Sequence, residues 1–279
     1  MRIDLHTHSR CSDGTLSPAE LVALAADRAV QILALTDHDT MAGCAEAQAA
    51  CDRHGIQFVP GIELTCEWRG REIHVVGLGV QPGHTLLAAT CDDLARRRVA
   101  RLQAIGERLA RHGLDGAGLA RDALAECATP TRMHLARQMV RRGMVASVGA
   151  AFDRWLGHGK PGAVRSEWPP LQATVDCIVS AGGVAVLAHA HRYALSPGVL
   201  RELCAQFKEL GGAGLEVSLA GTGPGDAHRL AALARRFALA GSVGSDFHEP
   251  GIPWRPLGRF VKLPEGVMPL LELLPRRMA

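Results

Sequence analysis

The sequence predicts an α/β barrel of about seven strand–helix units, interrupted by one helical segment. Three observations carry this expectation. Short β-branched or leucine-rich runs alternate with helical patterns, as in a parallel sheet covered by helices. The alternation fails between about residues 85 and 166, where the pattern is helical throughout. Acids and histidines recur at the ends of the strand-like runs, as they do when strand ends open on one functional face.

The elements follow in order. "RIDLH" (2–6) is the first strand, and Ser17-Pro18-Ala19-Glu20 then opens a helix with a capping box and proline at its first position. "ILALTDH" (32–38), a helix near 42–53, "QFVPGIEL" (57–64) and "REIHVVGLG" (71–79) continue the rhythm. "CDDLARRRVARLQAIGERLARHGL" then reads as a long amphipathic helix, with "TRMHLARQMVRRGM" and "SVGAAFDRWLGHG" as two shorter ones. The barrel resumes at "GKPGAV". Helices near 170–181, 197–210 and 225–239 separate "GGVAVLAHA", "GLEVSL" and "AGSVGSDFH", and "FVKLP" (260–264) reads as a last strand. Residues 1–85 and 166–279 are therefore expected to form the barrel and 86–165 a helical insertion.

A chain of 279 residues, 47% apolar, can bury about three quarters of its unfolded surface in one such domain. Arg2, Asp4, His6 and His8 interrupt any secretory apolar core, and no apolar run is long enough to span a bilayer; a soluble, cytoplasmic protein is expected. The eight cysteines include no C-x-x-C and read as reduced packing residues, Cys11 among them. Charge is uneven. Residues 96–165 hold 14 of the 31 Lys/Arg and five of the 28 Asp/Glu, leaving 17 basic against 23 acidic elsewhere. A basic segment in an acidic chain suits an anionic partner, with a solvated helical face as the alternative. Four Trp, one Tyr and six Phe leave too few stacking surfaces for an extended nucleic-acid platform.

On the predicted strands His6 and His8 end the first; Asp37, His38 and Asp39 the second; Glu63 the third; His189 the fifth; Asp246 and His248 the seventh. His74 lies on the fourth. Period two puts His6 and His8 on one side of their strand. With Asp13, the set His6, His8, Asp13, His38, Glu63, His74, His189, Asp246 and His248 exceeds what one divalent ion can take, so two or three ions sharing a carboxylate are expected. Nitrogen and oxygen donors without thiolate suit manganese, iron or zinc. Asp37 and Asp39 read as partners orienting His38. His54, His84, His112 and His228 fall on helices or loops and receive no role.

"HTHSRCSDG", "LTDHDT", "PGIEL", "IHVVGLG", "LAHAHRY" and "GSDFHEPG" together resemble the PHP (polymerase and histidinol phosphatase) family of metal-dependent phosphoesterases. The similarity runs from Met1 to about Gly251. It is greatest to the branch that includes nucleoside 3′,5′-bisphosphate phosphatase and relatives trimming 5′-phosphorylated RNA. The resemblance implies a distorted (β/α)7 barrel with the insertion lying over the site as a lid. It implies one ion on His6, His8, Glu63 and Asp246, a second on Glu63, His74 and His189, and a third on Asp13, His38 and His248, most often manganese. Glu63 would bridge, and Glu63, Asp13, His38 and His248 would be the catalytic group. Arg132, Met133 and His134 align with an Arg-Pro-His segment of relatives, and Lys160 with a Gly-Lys-Pro. Ala190 and His191 replace the usual Pro-Gly before Arg192.

The expected chemistry is hydrolysis of the 3′-phosphate of a nucleoside 3′,5′-bisphosphate by metal-activated water, with trimming of short 5′-phosphorylated RNA as an extension. Arg101, Arg132, His134, Lys160 and Arg192 are the candidates for clamping the second phosphate and ribose, since guanidinium meets phosphate with paired hydrogen bonds. Arg96, Arg97, Arg108, Arg141 and Arg142 read as a solvated face. Two rivals remain: a histidinol-phosphate phosphatase, whose ammonium-bearing substrate wants acidic partners, and a non-catalytic PHP module, which would be expected to have lost donors.

Overall fold

A computed structural model describes residues 1–274. Seven strands lie in sequence order, β1 (Ile3–Asp4), β2 (Ile32–Leu35), β3 (Gln57–Trp68), β4 (Arg71–Leu78), β5 (Val184–Leu187), β6 (Gly214–Leu219) and β7 (Ala240–Gly244). Backbone bonds bring the last strand back to the first: Leu5 N–H to Val243 O (3.1 Å), Asp246 N–H to His6 O (2.9 Å) and His8 N–H to Phe247 O (2.9 Å). The result is a nearly closed barrel. Gly244 allows that closure, because a Cβ there would lie 2.6 Å from the Cβ of His6.

Helices α1 (Pro18–Asp27), α2 (Cys44–His54), α7 (Leu171–Ser180), α8 (Pro197–Glu209) and α9 (Pro224–Arg236) cover the outside. Ser17 caps α1 with the predicted capping box. Leu5, Ile32, Ala34, Val59, Val76, Leu78, Val186, Ala188 and Ala240 fill the barrel interior, with Leu270 packed against them. This plug leaves the polar residues to the opposite end. Between β4 and β5 run α3 (Thr85–Ala110), α4 (Gly116–Glu126), α5 (Arg132–Arg141) and α6 (Val148–Ala151), the last continuing as a π-helical turn over Phe152–Leu156. They enclose a separate apolar cluster that includes Leu102, Ile105, Leu119, Leu135 and Met139.

Two expectations need correction. The sheet is not wholly parallel: β4 runs antiparallel to both β3 and β5. Only Arg69 and Gly70 join β3 to β4, both with positive φ (48° and 73°), and a two-residue turn of that kind makes a hairpin. His74 therefore reaches the mouth from the first half of its strand rather than from its end. The segment 260–264 is not a strand. It crosses the barrel's outside, with Leu263 packed beside Gly241 and the Val261 carbonyl accepting from the Ser218 hydroxyl. Its Pro264 has no N–H to give a ladder; Pro269 instead makes a single bridge to Gly241.

Candidate metal centre

The nine predicted donors meet in one place. Glu63, fully buried on β3, stands at the centre. Its Oε2 lies 3.3 Å from His6 Nε2, 3.2 Å from His8 Nε2 and 3.1 Å from His38 Nδ1. Its Oε1 lies 3.0 Å from His74 Nδ1 and 2.8 Å from His189 Nε2. Asp246 Oδ1 sits 3.6 Å from His6 Nε2 and 3.5 Å from His8 Nε2. On the other side of His8, Asp13 Oδ1 is 3.3 Å from His248 Nε2, and Asp13 Oδ2 is 3.8 Å from His38 Nε2.

Local backbone geometry makes this convergence possible. Asp39, His189 and Asp246, just past β2, β5 and β7, hold φ of 54°, 30° and 52°. Such left-handed conformations are strained for residues with a Cβ and cluster where a site over-determines them. Gly14 lets the Asp13 loop fold back on the first strand, since a Cβ there would stand 2.5 Å from the His8 carbonyl oxygen.

The arrangement suits cations. His6 Nδ1–H donates to Glu216 Oε1 (2.5 Å), so its Nε2 lone pair points at His8 Nε2, 3.0 Å away, and at the oxygens of Glu63 and Asp246. His248 Nδ1–H likewise donates to the Asp246 carbonyl (2.9 Å), turning Nε2 to Asp13. Lone pairs facing lone pairs repel unless a proton or a cation lies between them. Asp13 Oδ1, His38 Nδ1 and His189 Nδ1 are buried without a hydrogen-bond partner among the described residues. A tetrahedral ion with bonds near 2.1 Å spaces its ligands by about 3.4 Å, close to the separations among His6, His8, Glu63 and Asp246. The donor set fits divalent metal ions. Without them, protons take their place. Burial opposes charge on His8 and His74, yet neighbouring carboxylates outweigh it and lift the two pKa values to about 9 and about 10. Burial would likewise raise Glu63, but the imidazoles of His38, His6 and His74 hold it well below the usual carboxylate range.

Further polar side chains brace the donors. Glu216, on the fully buried β6, accepts from His6 and also from the backbone N–H of His189 (2.6 Å). Sequence reasoning missed it, although an acid inside the apolar run "GLEVSL" was a visible signal. Asp4 accepts from the N–H groups of Ser245 (2.8 Å) and Gly258 (2.7 Å). The expected roles of Asp37 and Asp39 need correction, because neither carboxylate hydrogen-bonds the His38 ring. Asp37 accepts from Ser9 N–H (2.7 Å), Ser9 Oγ and Ser12 Oγ (both 2.6 Å) and so holds the Asp13 loop. Asp39 takes the guanidinium of Arg98 (2.5 Å) and the N–H of Thr65 (2.7 Å). Its left-handed backbone turns the carboxylate toward α3 instead of toward the imidazole.

The predicted anion-binding residues do not form one group. Arg101 (2.8 Å) and Arg132 (3.7 Å) share Glu72, which lies 3.8 Å from His74 Nε2. Arg192 pairs with Asp246, where Arg255, which the sequence reading passed over, joins it at 3.4 Å. His134 is buried, its Nδ1 accepting from the Thr131 N–H (3.0 Å) in the capping box of α5, while the Thr131 hydroxyl donates to Asp13 (3.0 Å). Lys160 is exposed beyond the π-helical turn, with no ion pair among the described residues.

Known proteins place this geometry. A PHP domain model matches residues 4–106. The chain is 41% identical over 271 residues to the 5′-3′ exoribonuclease of Haemophilus influenzae, covering 97% of this chain and 98% of that one. It is 40% identical over 279 residues to the 3′,5′-nucleoside bisphosphate phosphatase of Chromobacterium violaceum, covering 99% and 97%. Its fold matches the solved structure of an amidohydrolase of Chromobacterium violaceum, with bound sulfate and no metal, at a TM-score of 0.92 and 39% identity, over 98% of this chain and 95% of that one. Similarity that spans relatives almost end to end, on the same barrel, is more than a shared motif, and the chain belongs to the PHP family of metal-dependent phosphoesterases.

Proposed function

We propose that the chain is a metal-dependent phosphomonoesterase that removes the 3′-phosphate of nucleoside 3′,5′-bisphosphates and also trims short 5′-phosphorylated RNA. The observation that carries this reading is the convergence of nine donors on Glu63 and Asp13, beside arginines that outnumber their carboxylate partners. Relatives named for both activities, matched over nearly their full length, support it.

Divalent cations, manganese being our choice for a nitrogen–oxygen set without thiolate, supply Lewis acidity toward phosphoryl oxygens and acidify a water. His6, His8, Glu63 and Asp246 would hold one ion, Glu63, His74 and His189 another, and Asp13, His38 and His248 a third. Glu63 offers a separate oxygen to each of the first two groups. A water beside Asp13 and His248 would supply the proton that the departing sugar oxygen takes up, since both ring nitrogens of His248 are already committed.

Arg101 and Arg132 share a single acid, Glu72, which leaves one positive charge for a substrate phosphate near His74. We assign the non-reacting phosphate to that pair, and treat α3–α6 as the lid that delivers it. His134 and Lys160, on the same helical segment, would complete that clamp, and Arg192 would meet a phosphate from its place beside Asp246. A histidinol-phosphate reading is disfavoured, since Glu72, which borders the donors, and Asp246, one of them, are already engaged by guanidinium groups. No helix among the described residues is long and apolar enough to cross a membrane, and eight unpaired cysteines suit a reducing compartment; we assign the protein to the cytoplasm.

The test is phosphate release from adenosine 3′,5′-bisphosphate, AMP, histidinol phosphate and a 5′-phosphorylated dinucleotide, with manganese and with chelator. Fastest turnover of the bisphosphate, abolished by chelation, is the expected result. Turnover that survives complete metal removal would overturn the reading.

A further inference from the structure

The loop after β7 holds an aromatic side chain whose placement the metal centre does not explain. Trp254 is 65% exposed, whereas Trp68 and Trp168 are buried, their indole N–H groups donating to Gln206 (2.7 Å) and Glu72 (2.9 Å). Trp254 has neither burial nor a hydrogen-bond partner among the described residues. Yet its neighbour in sequence, Arg255, turns inward to stand 3.4 Å from Asp246 Oδ2, on the opposite side of that carboxylate from the donors His6 and His8.

The loop is well anchored. His248, one of the nine donors, stands at its start. At its end Leu257 is fully buried, and the Gly258 N–H donates to the buried Asp4 (2.7 Å). Within it the sequence is Pro253-Trp254-Arg255-Pro256, so a proline on each side limits the conformations of the pair. The Arg255 N–H closes a turn on the Ile252 carbonyl (3.2 Å). From β6, Gly221 comes close beneath, where a Cβ would lie 3.2 Å from the Trp254 carbonyl oxygen. An exposed indole therefore sits on a braced backbone, its Cα about 3.8 Å from that of an arginine reaching the donor cluster.

Asp246 meets two guanidinium groups, Arg192 and Arg255, through one oxygen. Both arginines keep more than a quarter of their side chains exposed, so an incoming phosphate can take the charge that Asp246 leaves uncompensated. Stacking of a nucleobase on an exposed aromatic ring is indifferent to base identity, because every base has a π-face. We propose that Trp254 and Arg255 form a nucleotide-binding lip: Arg255 pairs with a substrate phosphate and Trp254 stacks on the attached base. In the barrel β7 lies across from β4, so this lip faces the Arg101–Glu72–Arg132 group over the donors. A substrate spanning both would carry one phosphate on each side of the reacting one, as a 5′-phosphorylated trinucleotide does.

This inference rests on the phosphoesterase reading for its substrate, but its test measures binding. The manganese-loaded protein is titrated with AMP, ribose 5-phosphate and adenosine by calorimetry. Trp254→Ala should weaken AMP roughly tenfold and leave ribose 5-phosphate within about twofold, while Trp254→Phe should recover most of the loss. Arg255→Met should weaken both phosphates and spare adenosine. Equal losses for AMP and ribose 5-phosphate in Trp254→Ala, or no loss in either, would overturn the stacking role. A fall in adenosine affinity in Arg255→Met would overturn the phosphate role. If the wild type hydrolyses no phosphoester while AMP binding still divides in this way, the reaction is misassigned and the lip stands.

Discussion

Arg98 and Arg132 lie on two helices of the same basic segment, yet their surroundings differ. Arg98, on α3, is buried against Asp39 (2.5 Å) and Thr65 Oγ1 (2.7 Å), one cation to one anion, with Nε and one terminal nitrogen both directed at protein. Arg132, on α5, is about one third exposed and shares Glu72 with Arg101, two cations to one anion. The first pair joins the helical segment to the barrel. The second has more positive than negative charge, which is why we propose it for a ligand. The number of carboxylates that each guanidinium shares, rather than its spacing along the helices, is the basis of that proposal.

Four substitutions break or sharpen that contrast. Glu63→Gln, at the centre shared by the donors, should lower phosphate release by about 10³-fold or more and reduce the metal retained after dialysis. Unchanged metal content with an unchanged rate would remove Glu63 from the centre. Arg98→Met should leave Asp39 buried and unpaired and destabilise the fold by about 3–5 kcal/mol, read as a lower urea midpoint at constant slope. A wild-type midpoint would mean that the pair does not hold the helices. Glu216→Gln should weaken metal affinity by about 10–100-fold, with activity recovering at high manganese. Loss that no metal concentration reverses would point to a role other than orienting His6. Arg132→Ala should leave the urea midpoint nearly unchanged and raise KM for the bisphosphate roughly tenfold more than for AMP. Equal changes in both KM values would dissolve the proposed clamp.

Most of the donor set was readable because its members sit on or next to a short apolar run, where an imidazole or carboxylate is costly unless it has a purpose, while Asp13 stood out by its place five residues after His8. His6 and His8 show this best, since strand periodicity alone places them together. Arg255 was not readable, as an arginine between two prolines in a loop has no period to betray its direction. Nor were Asp37 and Asp39, whose positions flanking His38 suggested support for that ring. Their carboxylates instead bind Ser9, Ser12, Arg98 and Thr65, a matter of backbone φ and of helices that arrive from elsewhere.

Local chemistry along the chain was enough to specify the α/β class, the interruption after β4 and the nine side chains able to bind cations. Those features arise from residue type and short-range periodicity, which act before distant segments meet. Which oxygen of Glu63 faces which imidazole, which arginines keep spare charge and why β4 runs backwards were settled only on folding. They depend on contacts between residues more than 200 positions apart, such as His6 with Glu216, and on a tight turn whose effect shows only when its two strands pair.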